Sequence, residues 1–207
     1  MGGYFFPNGQ SQADALYRNL GDGRFLDVAD EVGLNSREQH GAAASGDLDN
    51  DGDPDLVVSK DCSLGTLGED GLAIADGSVF VYWNEEDGFR KEELPLKGVA
   101  EELGICPISI ELYDVNVDGL LDISISNGLD LDQIYPWVFQ KEFREALDII
   151  HLNDPEHSFV ETMPIEAFVN PEENGEELQF EFTSFTSIYL DINRDDLPDR
   201  ITGFGGG

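Results

Sequence analysis

Short apolar runs recur along the chain in pairs, and each pair flanks a segment rich in aspartate. The runs AAASGDL, ISIELYDV and TSIYLDI come before these segments, and apolar runs at 56–59, 123–126 and 201–204 follow them. Runs as short as these, bounded by turn residues, are typical of strands rather than helices. The pattern therefore predicts a repeated unit of strand, acidic loop and strand.

The acidic segments are internal repeats of one another. They read DLDNDGDPD from Asp47, DVNVDGLLD from Asp114 and DINRDDLPD from Asp191. Each has Asp at positions one, five and nine and Asp or Asn at position three. A motif that returns in register in this way indicates a repeat architecture.

Other strand candidates lie between the acidic segments. SVFVYWN follows the first loop, YPWVF follows the second, and Phe25, Phe89 and Phe159 each open a stretch that leads to the next loop. ALYRNLGDGRF at residues 15–25 has the same strand and turn pattern. The predicted units are residues 1–24 in part, 25–88, 89–158 and 159–207 in part. Each complete unit holds about four short strands, as a propeller blade does, so we expect an all-β fold, a partial β-propeller of about three four-stranded blades.

Two stretches depart from the strand pattern. FQKEFREALDII, residues 139–150, spaces Phe139, Phe143, Leu147 and Ile150 as the apolar face of a helix would, so it predicts a short amphipathic helical insert. NPEENGEE, residues 170–177, is polar and rich in turn residues, which predicts an exposed loop.

The acidic loops have the chemistry of a calcium site. Ca²⁺ takes six to eight oxygen ligands, and alternate residues of a tight loop can turn their side chains toward one point while a backbone carbonyl completes the shell. Position seven would offer only its carbonyl, which explains why leucine is allowed there. Gly52 and Gly119 stand at position six, where a sharp turn favours positive φ, and Asp196 replaces that glycine in the third loop. The predicted ligands are Asp47, Asp49, Asp51, Asp53, Asp55, Asp114, Asn116, Asp118, Leu120, Asp122, Asp191, Asn193, Asp195, Leu197 and Asp199.

Two alternatives to this calcium site are less favourable. An EF-hand needs a bidentate Glu at position twelve and flanking helices, whereas position twelve is Val58, Ile125 or Thr202 within strand-like sequence. A solvated turn without an ion explains one Asp-rich loop. Three loops that each crowd carboxylates into nine residues would repel themselves without a cation.

The net charge of −33 limits the partners of the protein. It repels phosphate backbones and anionic headgroups, so we expect no nucleic-acid partner and no binding to acidic membranes. No stretch approaches the ~20 apolar residues that a membrane span needs. The acidic side chains beyond the loops predict a solvated coat rather than a specific cationic partner.

Cys62 and Cys106 match no metal or redox spacing. They are either one disulfide in an oxidising compartment or two separate small buried residues. The opening MGGYFFPNGQ lacks the regions of a signal peptide.

The sequence gives no clear catalytic motif, so we expect a binding module rather than an enzyme. His151, Asp154 and His157 lie close together but fit no metal-ligand template, and His40 stands alone before a turn. A GxSxG elbow, a phosphate-binding glycine run and a Cys-His pair are absent from the sequence. Carboxylate pairs are too numerous in so acidic a chain to identify a glycosidase.

LYRNLGDGRFLDVADEVGL followed by GDLDNDGDPDLVV resembles the FG-GAP and VCBS repeats of integrin-α-like β-propellers, and in particular bacterial ASPIC/UnbV-type proteins related to cartilage acidic protein. The resemblance extends through the two later loops. It implies a propeller of about seven blades, an extracellular or cell-surface location, and calcium ions that stiffen the loop between the first two strands of a blade.

The family fixes no single ligand, because such repeats occur in adhesion, in matrix binding and as appendages of enzymes. We expect an adhesion or ligand-binding scaffold that recognises a protein or a glycan. The alternative is a noncatalytic propeller segment of a larger secreted hydrolase that degrades polysaccharide or lipid. We also expect the chain to be part of a longer one, since rings of this kind use four to eight blades. A homodimer that closes a ring of roughly six blades is the less favoured alternative.

Overall fold

The computed structural model describes residues 13–38, 40–60, 64–67, 73–96, 104–127, 148–161 and 183–205. Most of these residues lie in strands, as the sequence predicts. The strands are β1 Tyr17–Asn19, β2 Phe25–Asp27, β3 His40–Gly46, β4 Asp55–Lys60, β5 Leu64–Leu67, β6 Ala73–Asp76, β7 Ser78–Glu85, β8 Gly88–Glu93, β9 Gly104–Ile105, β10 Pro107–Tyr113, β11 Asp122–Asn127, β12 Ile149–Leu152, β13 Val160–Glu161, β14 Thr183–Leu190 and β15 Asp199–Gly205. A helix, α1, spans Ala29–Val32 and ends at Gly33, which adopts a left-handed conformation with φ 80°.

Two sheets of four strands form the centre of the described structure. The first sheet has the order β3-β4-β7-β8 and the second sheet has the order β10-β11-β12-β13. All neighbours within them are antiparallel. Strands β14 and β15 pair as a third sheet. In each of the three sheets an acidic loop joins the first two strands, which confirms the predicted unit of strand, loop and strand.

Two smaller sheets accompany these three. The N-terminal hairpin pairs β1 with β2 and contains the predicted strand and turn of residues 15–25. The insert sheet has the order β5-β6-β9, in which β6 and β9 run parallel. Strands β5 and β6 lie between the second and third strands of the first sheet along the chain, so the insert leaves the order of that sheet unchanged.

An apolar core lies between the first and second sheets. Burial alternates along β4 because successive side chains of a strand point to opposite faces. Val57, Val79 and Val81 of the first sheet are buried in one cluster with Ile123 and Ile125 of the second. Trp83, Ile149 and Phe159 extend the same cluster. The repeat therefore stacks one sheet on the next and buries their facing residues.

The opposite face of the second sheet is polar and meets the third sheet. Ser124 and Ser126 alternate with the core isoleucines of β11 and are fully buried. Ser124 Oγ accepts a hydrogen bond from the Tyr189 hydroxyl at 2.8 Å, and the Oγ atoms of Ser126 and Ser187 lie 3.1 Å apart. Arg200 also reaches Ser126 Oγ, at 3.2 Å. Hydrogen bonds therefore join the second and third sheets, in contrast to the apolar layer on the other side.

The helix prediction for residues 139–150 is wrong at its C-terminal end. Residues 139–147 lie outside the described residues, but Ile149 and Ile150 belong to β12 and are both buried. Strand β12 is the third strand of the second sheet, where Ile149 pairs with Ile125. Pairing with a buried strand decided the conformation of a short run whose apolar spacing fits a helix equally well.

The sheets and the predicted repeat units divide the chain at different points. Phe89 lies in β8, the last strand of the first sheet, and Phe25 lies in β2. Of the predicted strands, SVFVYWN is β7, whereas YPWVF and the loop at 170–177 lie outside the described residues. Cys106 is disulfide-bonded, and Cys62 lies outside the described residues.

The outermost sheets leave apolar side chains exposed on the described structure. In the third sheet, Ile188 and Ile201 pair across the strands and are 57% and 44% exposed. In the N-terminal hairpin, Tyr17 and Phe25 are 62% and 59% exposed. Among the described residues, no helix combines the length and apolarity that a membrane crossing requires.

Candidate metal centre

The aspartate at position nine closes each acidic loop at its base, where it accepts the N–H of position two. This closed base is called the neck of the loop. Asp55 is buried, and its carboxylate accepts the backbone N–H of Leu48 at 2.9 Å and that of Asn84 at 2.8 Å. Asp122 is also buried and accepts the N–H groups of Val115 and Asn153, both at 2.8 Å. In the third loop, Asp199 accepts the N–H of Ile192 at 2.9 Å. The two central loops are thus held at the neck by two backbone donors each.

The aspartate at position one folds the loop around its own carboxylate. Asp47 accepts the N–H groups of Asp51 and Gly52, both at 3.1 Å. The same two bonds recur in the other loops. Asp114 accepts the N–H groups of Asp118 at 3.0 Å and Gly119 at 2.8 Å. Asp191 accepts those of Asp195 and Asp196, both at 3.1 Å. Three segments of different sequence therefore adopt one hydrogen-bonded shape.

Two left-handed residues give each loop its sharp turn. At position four φ is 57° for Asn50, 61° for Val117 and 66° for Arg194. At position six φ is 99° for Gly52, 92° for Gly119 and 66° for Asp196. Asp196 therefore takes the left-handed conformation that glycine has in the other two loops. Aspartate adopts this conformation more readily than most residues do, so the missing glycine leaves the turn intact.

Carboxylate oxygens converge in the first loop. Ligand atoms of Asp47, Asp49 and Asp55 lie within 4.8 Å of one another, close enough to share one metal ion. Position three is Asn116 in the second loop and Asn193 in the third, where a neutral amide oxygen replaces the carboxylate of Asp49. Each loop keeps an oxygen atom at this position.

Position five is turned toward the loop itself. Oδ1 of Asp51 accepts the N–H of position seven, Asp53, at 2.9 Å, and the equivalent bonds to Asp118 and Asp195 are 2.9 and 3.0 Å long. Position seven is Asp53, Leu120 or Leu197, so the three loops share no side-chain donor there. The side chains of Asp53 and Leu197 are both exposed. The carbonyl role of position seven in metal binding stays a prediction.

The electrostatics of the buried aspartates favour a bound cation. Burial raises the pKa of Asp55, and the nearby charges of Asp49 and Asp51 raise it further, although two backbone hydrogen bonds act in the opposite direction. The pKa of Asp122 is raised for the same reasons, with Asp118 and Asp114 as the neighbouring charges. A cation among these carboxylates would relieve both the repulsion and part of the desolvation cost.

The donor set fits a hard cation. Side chains of the predicted ligands offer oxygen alone, from Asp and Asn, and none of them offers nitrogen or sulfur as a histidine or cysteine would. Such all-oxygen sets suit Ca²⁺ or Mg²⁺ rather than zinc or copper. Flexible loops with several carboxylates favour the larger ion, because Mg²⁺ demands a near-ideal octahedron and keeps several waters.

The histidine segment does not form a second metal cluster in the described structure. His151 is fully buried on the strand face that carries Ile123, its cross-strand neighbour. His157 lies against Trp83, with ring centroids 5.6 Å apart. Asp154 instead accepts the N–H of Glu156 at 2.9 Å. His40 pairs with Asp14 at 2.8 Å.

Sequence reasoning missed the two asparagines that support the loop necks. Asn84 lies near the end of β7 and Asn153 directly follows β12, the third strands of the first and second sheets. Their N–H groups donate to Asp55 and Asp122. The signal was present in SVFVYWN and IIHLN, which both end in Asn. The role of Asn153 could be inferred only if residues 149–152 were known to form β12, and the apolar spacing there predicted a helix instead.

Comparison with known proteins agrees with this arrangement. No curated protein matches the chain. Residues 5–58 match the family model described as FG-GAP-like repeat. The matched segment includes the N-terminal hairpin, β3, the first acidic loop and the start of β4. Residues 5–58 are therefore similar to an FG-GAP-like repeat, and this matched segment contains the acidic loop in which the carboxylates converge.

Proposed function

We propose that this protein is a calcium-binding β-propeller module of the extracellular space that serves as a scaffold for adhesion or ligand binding. One observation carries the proposal. The same nine-residue loop, with the same hydrogen bonds to its first and last aspartates, joins the first two strands of all three main sheets. A shape kept through different sequences, while its oxygen donors are retained, points to a shared ligand.

Calcium is the ion that this donor set serves best. The side-chain oxygens at positions one, three, five and nine would hold it, with a backbone carbonyl at position seven. Bound calcium would supply positive charge that offsets the crowded carboxylates. The ligands in the three loops would be Asp47, Asp49, Asp51 and Asp55; Asp114, Asn116, Asp118 and Asp122; Asp191, Asn193, Asp195 and Asp199.

The sheet arrangement supports a propeller. Both complete sheets place their four strands in chain order, apart from the strands of the insert, and they stack through a common apolar core. Propeller blades have this order and pack face to face in the same way. In this proposal the first and second sheets are complete blades. The similarity to VCBS and ASPIC/UnbV-type proteins remains a prediction.

The module acts by recognition rather than catalysis in this proposal. FG-GAP repeats are typical of extracellular proteins, which supports an extracellular location. Calcium would brace the blades, while loops between blades would bind a protein or a glycan. An array of glycans and matrix proteins, probed with the full chain in calcium and again in chelator, identifies that ligand. Binding to no member of the array would contradict the recognition role.

The calcium role is tested by thermal unfolding with and without a chelator. If free calcium is about tenfold above Kd, each site adds about 1.4 kcal/mol, or about 4 kcal/mol for three sites. For a chain of this size that stabilisation corresponds to a Tm change of roughly 8–16 °C. The same Tm in calcium and in chelator would refute the proposal.

A matched pair of variants locates the effect in the loops. Asp49→Ala removes one member of the converging carboxylate group, whereas Asp53→Ala removes an exposed carboxylate of the same loop that lies outside that group. We expect Asp49→Ala to weaken calcium binding by at least about tenfold, which is about 1.4 kcal/mol. Asp53→Ala should leave it nearly unchanged. Equal losses in isothermal titration would show that only bulk negative charge attracts the ion.

A further inference from the structure

Asn153 joins the first and second acidic loops. Its backbone N–H donates to Asp122 at the neck of the second loop at 2.8 Å. Its side-chain Nδ2 donates to the backbone carbonyl of Leu48 in the first loop at 2.7 Å. Both bonds are buried, and Asn153 is 3% exposed. One residue thus holds parts of two candidate calcium sites.

The link continues to the neck of the first loop. The N–H of Leu48, whose carbonyl receives the Asn153 side chain, donates to Asp55 at 2.9 Å. A continuous series of hydrogen bonds therefore runs from Asp55 through Leu48 and Asn153 to Asp122. Buried hydrogen bonds of this kind are strong and costly to leave unpaired, so the two necks cannot move independently without losing one.

Asn84 shows that this connection is particular to the second sheet. It occupies the same place in the first sheet as Asn153 does in the second, with its N–H bonded to Asp55. Its side chain, however, donates to the carbonyl of Pro54 in its own loop at 3.2 Å. Asn84 supports one loop, whereas Asn153 connects two.

A second connection lies at the surface. Nδ2 of Asn50 in the first loop donates to the carbonyl of Gly119 in the second at 3.1 Å, in an exposed position. Water competes for an exposed bond, so its net contribution is smaller than that of the buried path.

We propose that the first and second loops bind calcium cooperatively and that Asn153 is the residue that couples them. The inference rests on the proposed calcium function. Calcium in either loop fixes the position-nine carboxylate, and the Asn153 path then restrains the neck of the other loop. The loop that binds the second ion is then already partly ordered, so binding there costs less conformational entropy. This gives positive cooperativity without a change of fold.

The test measures the coupling directly with calcium alone as the probe. In the full chain, the third loop is silenced by Asn193→Ala and Asp195→Ala, and isothermal titration gives the calcium affinity of the second loop. Silencing the first loop by Asp49→Ala and Asp51→Ala should weaken that affinity about fivefold or more, a typical allosteric coupling. In the Asn153→Ala variant, silencing the first loop should no longer change the calcium affinity of the second loop. Asn84→Ala and Asn50→Gly, the matched controls, should retain most of the coupling.

Thermodynamic reciprocity provides an independent check if Asn153→Ala folds poorly. Silencing the second loop by Asn116→Ala and Asp118→Ala must weaken the first loop by the same factor. If each loop binds calcium with unchanged affinity when its neighbour is silenced, the coupling is overturned and the calcium function stands. Coupling that persists in a folded Asn153→Ala variant would overturn the role of Asn153. Absence of any calcium binding in the parent protein would overturn the proposed function itself.

Discussion

His151 makes the stability of this protein sensitive to acid. The side chain is fully buried beside Ile123 in the apolar layer between the first and second sheets. Neither ring nitrogen has a hydrogen-bond partner among the residues that the structure describes. Burial lowers the pKa of His151 from 6.5 to about 4, because the charged imidazolium is poorly solvated there. The folded protein therefore holds this histidine in its neutral form.

The size and sign of the effect follow from the two pKa values. The unfolded chain takes up a proton at His151 as the pH falls below about 6.5, whereas the folded protein does so only near pH 4, so acid favours the unfolded state. The stabilising contribution is complete above pH 6.5 and is lost as the pH falls from 6.5 toward 4. Between pH 7 and pH 4.5 the loss amounts to about 2 kcal/mol.

Replacing His151 by leucine should remove this loss. At pH 7 the variant should also be more stable by about 1–3 kcal/mol, because two unpaired polar atoms leave the core. The assay is urea unfolding of both proteins at pH 7 and 4.5 at one fixed calcium concentration. Asp55 and Asp122, whose raised pKa values act in the opposite sense, are present in both proteins and cancel in the comparison.

Two results would refute this reasoning. The first is an equal loss of stability on acidification in the wild type and in His151→Leu. The second is destabilisation by leucine at pH 7, which would mean that the imidazole makes a favourable interaction in the core. His151→Phe serves as a companion variant, since its packing differs but its pH dependence should match that of leucine.

Two further predictions concern contacts between elements. Gly77→Ala should destabilise the protein by about 1–3 kcal/mol, because the added methyl carbon would lie 2.5 Å from the carbonyl oxygen of Ile105. The control Gly203→Ala, whose added carbon has its nearest contact at 3.4 Å, should be nearly neutral in urea unfolding. Equal effects of the two substitutions would contradict the clash at Gly77. Arg200→Met should cost about 2 kcal/mol, since it removes the guanidinium that lies 2.8 Å from the largely buried carboxylate of Asp148. Adding Asp148→Asn should recover part of that loss in the same assay, and an additive loss would show that the pair is not coupled.

The turns of the acidic loops were predictable because their structure is mainly local. Asp47 folds its loop through bonds to residues four and five positions away, Asp51 and Gly52. A nine-residue sequence contains every partner of these bonds. The flanking strands were predictable for a related reason, since alternation of apolar residues reports directly on a half-buried strand.

Strand β12 shows where local sequence is insufficient. The stretch FQKEFREALDII has helical spacing, yet Ile149 and Ile150 form a strand because β11 offers a buried edge that Ile149 can pair with. That edge belongs to residues more than twenty positions away in sequence. Its stabilisation outweighs the local preference, which is a weak one.

The sequence by itself determined the repeat, the acidic loops and the all-β class, because each depends on residues that are neighbours along the chain. Only the tertiary structure decided which surfaces meet. It placed Asn153 between Asp122 and Leu48, which is 105 positions away in sequence. It also buried His151 in an apolar layer, where its ring nitrogens have no hydrogen-bond partner within the described part of the chain. Both outcomes depend on how one sheet stacks on the next, and contacts between sheets carry no fixed spacing that a sequence could display.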